Sequence, residues 1–387
     1  MSALADLLTA AGLTGRGGAD FPTGRKVELA EHHRADLIIN ACDGELDARK
    51  DGWVIAHHLD DVLAGAELLD CRRIRIAAHR DSATSRLLDR AGADSMEVPN
   101  RYVASEESAL VALAHGGRAR PLMRSVPVTA GARTQTGRRL RPTLVLNAET
   151  VWRIAQIADH GVRWFRSYGT HAEPGPRLVT LVNGVAHPGV HTAEAGLATT
   201  EILALGGGST IAVQALWFGG LSGGFVAGRT APETVWSRNG LAVHGIRPGA
   251  GTVRLIDART DPWDDVSIAL DYAAGETAGQ CGPCMFGVPA LAADVAGLRA
   301  GAGPDVMARM TRRVAELPGR GACRFPDGVA DLLASALTVF GRPSPPAGRH
   351  HRPLPETPSP EPGFGNLPEE RRTPHVAKDP ARRHARV

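Results

Sequence analysis

The 387-residue chain has no uninterrupted apolar run of about 18 residues, the length a helix needs to cross a bilayer, so no transmembrane helix is expected. Its first stretch, Met1 to Leu13, is apolar but carries Asp6 and lacks a basic leader and a small-residue cleavage site, which argues against a secretory signal. Net charge is small, +3, and gives no reason to expect a nucleic-acid partner. Much of the basic excess sits in a terminal stretch with Arg371, Arg372, Arg382, Arg383 and Arg386. Cysteine is scarce as well. Five residues, two of them in Cys281-Gly282-Pro283-Cys284, suit reduced thiols in the cytoplasm better than a disulfide scaffold.

What the chain does have is length for two or three domains of roughly 100–200 residues each, and a loop rich in glycine. Gly15-Arg16-Gly17-Gly18-Ala19-Asp20-Phe21-Pro22-Thr23-Gly24 leads into a helical run from Arg25 to His32. Glycine lets the backbone approach a ligand where a Cβ would collide, and the amides opening the next helix would face an anion. Taken alone, the cluster is equally a turn.

Apolar runs at Asp36–Asn40, Ile74–Ala78, Ser95–Val98 and Pro142–Asn147 read as strands, with helices over His57–Leu69, Ser82–Ala91, from Tyr102 and from Val151. This alternation indicates an α/β layer, and ligands bind at the ends of such strands. Two strands finish on asparagine, Asn40 and Asn147, whose amides suit a polar ring edge or sugar hydroxyls as well as turns. Glu106 and Glu107 open a helix, where carboxylates by default complement its dipole. From Pro176 the texture becomes α+β: a hairpin over residues 178–192, a helix over Thr199–Leu205, and strands at Thr210–Val213, Ala215–Gly220 and Gly251–Asp257. From Trp263 to Phe340 the pattern is helical, broken at Cys281–Cys284 and Pro318–Pro326. Cys281, Cys284 and the distant Cys323 could share a metal centre, although four thiolates are the usual complement of a cluster or structural zinc.

In this order the motifs resemble the NADH-binding flavoprotein (F-type) subunit of respiratory complex I and the related subunits of NAD-dependent hydrogenases and formate dehydrogenases, over roughly residues 10–340. The family loop G-R-G-G-A-G-F-P-T-G is matched from Gly15 to Gly24 with Asp20 for a glycine. N-A-D-E-G-E-P-G-T-x-K-D is matched by Asn40, Ala41, Asp43, Gly44, Glu45, Lys50 and Asp51, G-E-E-T-A-L by Ser105 to Leu110, and N-N-V-E-T by Leu146 to Thr150.

The resemblance implies a Rossmann-like α/β domain for FMN and NADH over 1–175, a β-grasp (soluble-ligand-binding) α+β domain over 176–250, a helical bundle bearing the cysteines over 251–342, and a disordered Pro/Arg/His-rich tail over 343–387. It implies cofactor contacts from Gly15, Arg16, Gly17, Gly18, Phe21, Gly24, Lys26, Asn40, Asp43, Glu45, Glu106, Glu107 and Asn147. Glu45 and Glu107 would serve NADH at the reacting end, and Cys281, Cys284 and Cys323 would hold a 4Fe–4S or 3Fe–4S iron–sulfur cluster.

Departures accompany the matches. Ala278 stands where the family's first cluster cysteine belongs. Val27 and Leu29 replace two aromatics, Arg124 to Pro127 replaces K-P-P-F, and Cys42 and Leu146 replace an aspartate and an asparagine. Stacking is worth about 0.5–1.5 kcal/mol per aromatic pair, so losing two or three would weaken NADH binding by roughly one to three decades.

The expected function is an FMN-dependent oxidoreductase subunit passing electrons from NAD(P)H to an iron–sulfur or ferredoxin-like protein, a complex subunit or a quinone-linked partner. Its expected place is the cytoplasm, peripheral to a membrane complex through that partner. The alternatives are a flavin and iron–sulfur relay without NADH, and a non-catalytic binding subunit.

Overall fold

The computed structural model describes residues 2–123, 127–134 and 136–346. Most of the expected disordered tail, and the expectation on Arg124–Val126, lie outside the described residues.

Helix α1 (Ala3–Ala11) opens on Ser2, whose hydroxyl accepts the Ala5 amide, and closes at Gly12 in the left-handed region. The glycine loop then delivers the chain to α2 (Thr23–His33). Strands β1 (Asp36–Asn40), β2 (Ile74–His79) and β3 (Ser95–Val98) alternate with α3 (Lys50–Glu67) and α4 (Ala83–Ala91). A 3-10 turn (Tyr102–Ser105), α5 (Glu107–Ala114) and the two-residue strands β4 (Ala132–Arg133) and β5 (Arg139–Leu140) lead to β6 (Thr143–Asn147) and α6 (Ala148–Phe165).

The first sheet runs β3-β2-β1-β6, all parallel. Pleating sends Leu37 and Ile39 into a core with α1, α2, α3 and α6, while Ile38 points to the opposite core with Leu110 and Val111 of α5. Burial on both faces is why β1 reads as a continuous apolar run.

The second sheet contains β7 (Pro176–Leu181), β8 (Gly189–Glu194), β9 (Val213–Phe218), β10 (Gly224–Ala227) and β11 (Thr252–Asp257), in the order β10-β9-β11-β7-β8. Only β11 and β7 pair in parallel. The boundary expected at residue 250 therefore cuts β11 from the centre of the sheet it completes. The strands expected at Thr210–Val213 and Ala215–Gly220 are one strand, β9, and β10 lies outside the expected strands. One face, with Leu216, Phe218 and Val253, packs on α7 (Thr199–Leu205) and Trp236. The other, with Trp217, Phe225 and Ile256, packs on the helices that follow.

Those helices are α9 (Pro262–Gly275), α10 (Val288–Arg299), α11 (Pro304–Glu316) and α12 (Phe325–Phe340), after the short α8 (Arg238–Ala242). A π-helical turn, Pro283–Gly287, runs straight into α10. Both breaks expected in this region are present, and a third falls between α10 and α11. Among the described residues no helix is long and apolar enough to cross a membrane.

Candidate flavin cavity and cysteine cluster

Strands β1 and β6 are neighbours, and their last residues, Asn40 and Asn147, are register partners. The strand order reverses at this point, which opens a crevice beyond the carboxyl ends. The crevice is a cavity of about 660 Å³, within the roughly 300–1,000 Å³ of small-molecule sites. It is walled by the glycine loop, the two strand ends, the Tyr102–Ser105 turn, residues Ser222 and Ala250 beside the second sheet, and the loop before α12.

Gly15, Gly17, Phe21, Lys26, Asn40, Asp43, Glu45, Glu106, Glu107, Asn147 and Cys323 all line this cavity. Gly17 must be glycine, because a Cβ there would overlap the Asn147 side-chain oxygen. Lys26 Nζ lies 2.7 Å from Glu107 Oε1, a pair placed at the cavity wall. Phe21 is 47% exposed, and its ring stacks on no other among the described residues.

The remaining expected contacts point elsewhere. Arg16 is buried, with Nη2 donating to the Pro174 and Pro176 carbonyls at 3.3 and 3.2 Å and the guanidinium 5.9 Å from the Phe165 ring centroid. Burial, then Arg177, holds its pKa well below the usual guanidinium value. It joins the first unit to the second and does not face the cavity. Gly24 lets α2 approach α1, since a Cβ would meet the Thr9 hydroxyl and the Ala5 carbonyl. Gly18 faces Gly249.

The cavity floor rests on buried ions. Asp43 accepts the amides of Asp51 and Gly52 at 2.9 and 2.7 Å, capping α3 from outside its own sequence. Asp51 in turn accepts the Glu149 amide at 2.9 Å in the first turn of α6 and the Asn147 side-chain amide at 3.1 Å. Lys50 Nζ joins Asp51 at 2.8 Å and Glu149 at 3.1 Å. Burial disfavours its ammonium, but Asp51 and Glu149 overcome this and raise its pKa. Burial also acts against the Glu149 carboxylate, and Lys50 and Arg153 reverse it, lowering the pKa. Asp43 is pushed up to about 7 by burial and then by Asp51.

Three expected contacts are engaged by the chain itself. Glu45 accepts hydrogen bonds from Tyr102 Oη at 2.7 Å and from Leu46 N, Leu221 N and Ser222 Oγ, each at 2.8 Å. Its pKa is raised by burial, which these bonds only partly offset. Glu45 thus fastens the first sheet's loop to the second unit. Glu106 caps α5, accepting the Ser108 and Ala109 amides at 2.8 and 3.1 Å. Asn40 donates to the Ser105 carbonyl and accepts the Cys42 amide.

Asp20, which stands for a glycine of the family loop, is paired with two cations. It lies 3.1 Å from Arg177 and 3.0 Å from Arg238. Residues that the sequence did not single out are Tyr102, Ser222 and, around Cys323, Gly319, Gly321, Ala322 and Arg324 on the cavity wall. The only signal for these last was their glycine content next to Cys323.

Cys281 precedes the π-helical turn before α10 and Cys284 lies within it, while Cys323 lies in the loop before α12 and lines the cavity. Burial raises Cys284 to about 11 and Cys323 to about 12.

Residues 8–156 match the Nuo51 FMN-binding domain family, and residues 266–343 match the NADH-ubiquinone oxidoreductase-F iron-sulfur binding region. In both regions the chain is similar to the F-type flavoproteins. It is 27% identical to the F-type subunit of the NADH-quinone oxidoreductase of Streptomyces coelicolor, over 85% of this chain and 79% of that one. It is 29% identical to the NADP-reducing hydrogenase subunit HndC of Solidesulfovibrio fructosivorans, over 73% of this chain and 63% of that one. Its fold matches a chain of an NAD+-reducing nickel–iron hydrogenase in the air-oxidised state, with TM-score 0.72 and 25% identity. That match covers 87% of this chain but 61% of the hydrogenase chain.

The two cofactor regions of these F-type relatives fare differently here. The cavity suits FMN in size and in its polar groups: a glycine backbone, an ammonium and the Asn147 amide as donors, with carboxylates as acceptors. The cysteine set does not suit a cluster held by four thiolates. The fourth position is the methyl of buried Ala278, and among the described residues no three His, Cys, Asp or Glu side chains gather to hold a metal ion.

Proposed function

We propose that this chain is the flavin-bearing subunit of an NAD(P)H-oxidising assembly, receiving hydride from the dinucleotide and handing electrons to an iron–sulfur or quinone-linked partner. The observation that carries the reading is the convergence of Gly15, Gly17, Lys26, Asn147 and Glu107, from four separate segments, on one cavity at the sheet's switch point. In this reading the first unit is a Rossmann-like flavin domain, the second a β-grasp domain and the third a helical bundle. The assembly would lie in the cytoplasm, reaching a membrane only through its partner.

FMN, when bound, would supply the hydride-accepting ring. The glycine loop would follow its phosphate and ribityl chain with backbone amides, Lys26 would neutralise phosphate charge, and Asn147 would present its amide to the polar edge. Asp51 and Lys50 would hold Asn147 in place from beneath. Glu107 would accept ribose or amide hydrogen bonds from the dinucleotide, leaving its pairing with Lys26 to do so. Phe21, exposed at the cavity, would give its face to a base.

Glu107→Gln should slow reduction by NADH at least tenfold while FMN affinity, read by quenching of FMN fluorescence, changes little. Loss of FMN with unchanged reduction kinetics in the remaining holoprotein would reverse these roles.

The absence of the family's aromatics at Val27 and Leu29 favours a second reading, a flavin relay without NADH. Flavin that dithionite reduces and NADH does not would select it.

A further inference from the structure

A second cavity, of about 420 Å³ and also within the roughly 300–1,000 Å³ of small-molecule sites, lies between the β9–β10 edge of the second sheet, the start of α9 and the end of α12. None of its lining residues lines the flavin cavity. Helix α12 separates the two: Phe325 at its start lines the flavin cavity, and Phe340 at its end lines this one. A helix over that span rises roughly 22 Å. Trp263, Val339 and Phe340 give the second cavity an apolar wall, with the Trp263 and Phe340 rings edge to face at 6.4 Å. Two exposed arginines, Arg229 and Arg342, line it as well. Among the described residues neither pairs with a carboxylate, and Arg342 Nη2 donates to the Ala302 carbonyl at 3.2 Å, which steadies it. Asp261 is the one acid among the lining residues, and it is already engaged, by Arg299 at 2.9 Å and by the Trp263 amide at 3.0 Å. The cavity therefore carries positive charge that the chain does not neutralise, beside an apolar surface.

We propose that this cavity binds a small organic anion, a carboxylate or a phosphate monoester, with its charged end on Arg229 and Arg342 and its apolar body against Trp263, Val339 and Phe340. Guanidinium forks meet the paired oxygens of both head groups, in charge-assisted bonds roughly twice as strong as neutral ones. Asp261 keeps spare lone pairs and suits a hydroxyl on the same ligand. Because the site lies at the far end of α12, its occupant competes neither with FMN nor with the dinucleotide.

The full chain, first alone and then with excess FMN, is titrated by isothermal calorimetry with benzoate, phenyl phosphate, inorganic phosphate and benzyl alcohol. Benzoate or phenyl phosphate should saturate one site below about 5 mM, and whichever binds more tightly identifies the head group. Inorganic phosphate and benzyl alcohol, each lacking one half of the ligand, should bind at least tenfold more weakly. FMN should leave the affinity unchanged. Arg229→Gln and Arg342→Gln should each weaken binding at least fivefold while the circular dichroism spectrum stays that of the wild type. Arg259→Gln, at an exposed residue outside the lining, should bind as the wild type does. Absence of saturation by either organic anion overturns the proposal. So does undiminished binding by both arginine variants, binding that FMN abolishes, or inorganic phosphate bound as tightly as phenyl phosphate.

Discussion

Replacing Lys50 with methionine keeps a long apolar stem and deletes one buried positive charge. In the wild type that ammonium lies 2.8 Å from Asp51 and 3.1 Å from Glu149, and all three side chains are nearly inaccessible. After the change Glu149 keeps Arg153 at 3.9 Å, but Asp51 is left with neutral donors, the Asn147 side chain and the Glu149 amide. Breaking a buried pair by removing one partner costs about 3–5 kcal/mol, a fifth or more of the ~5–15 kcal/mol that holds a typical domain. At roughly 2–4 °C per kcal/mol for a domain near this size, the melting temperature should fall by about 6–20 °C. The assay is urea unfolding at pH 7, followed by circular dichroism, of wild type, Lys50→Met, Asp51→Asn and the double variant. Because the two residues are in contact, the double variant should cost clearly less than the sum of the singles. The pH dependence supplies an independent sign. Glu149 has a lowered folded pKa, so its contribution is present above its unfolded value and is lost as pH falls through the lowered one. Lys50→Met should flatten that acid limb. A single variant within about 1 kcal/mol of wild type would refute the claim that this ion cluster holds the cavity floor.

Other changes test the walls. Gly17→Val places a branched side chain against Asn147, and FMN affinity measured by fluorescence should fall at least tenfold while the apo chain keeps its fold. Asp43 has a folded pKa near 7, above the ordinary aspartate value of about 3.9. It therefore binds its proton more tightly folded than unfolded, and its contribution, full at low pH, is lost as pH rises from about 4 to about 7. Urea midpoints across that range should show the loss in wild type and not in Asp43→Asn. Asp20→Gly suits the backbone there, where φ is +50°, but removes the 3.1 Å partner of buried Arg177, which keeps only Glu173 at 3.3 Å, so net destabilisation of about 1–3 kcal/mol is expected from thermal melts. In Ala278→Cys, reconstitution with iron and sulfide should retain more iron per chain than wild type.

Where local pattern and packing agree, the sequence was readable. Strand β1 fell at Asp36–Asn40 as expected because both its faces are buried, and α7 fell at Thr199–Leu205. Helices α3 and α6 begin earlier than expected, at Lys50 and Ala148, because their first amides are capped by Asp43 and Asp51, side chains from other segments. No local signal announces a cap supplied at a distance. The same reason separates the site residues. Gly15, Gly17, Lys26 and Asn147 line the cavity near which their motifs lie, whereas Arg16 turns inward to the Pro174 and Pro176 carbonyls. Glu45 spends its oxygens on Tyr102, Leu221 and Ser222, contacts that only the assembled fold creates. Strand β11 sits between β9 and β7, pairings across some thirty or more residues that no local pattern announces.

The most direct measurement of the central claim is the anaerobic visible spectrum of the full chain loaded with FMN, recorded before and after addition of NADH. The account predicts retained flavin bands that NADH bleaches, with Glu107→Gln bleached far more slowly. Flavin that stays oxidised with NADH and bleaches only with dithionite, or a chain that retains no FMN, would contradict it.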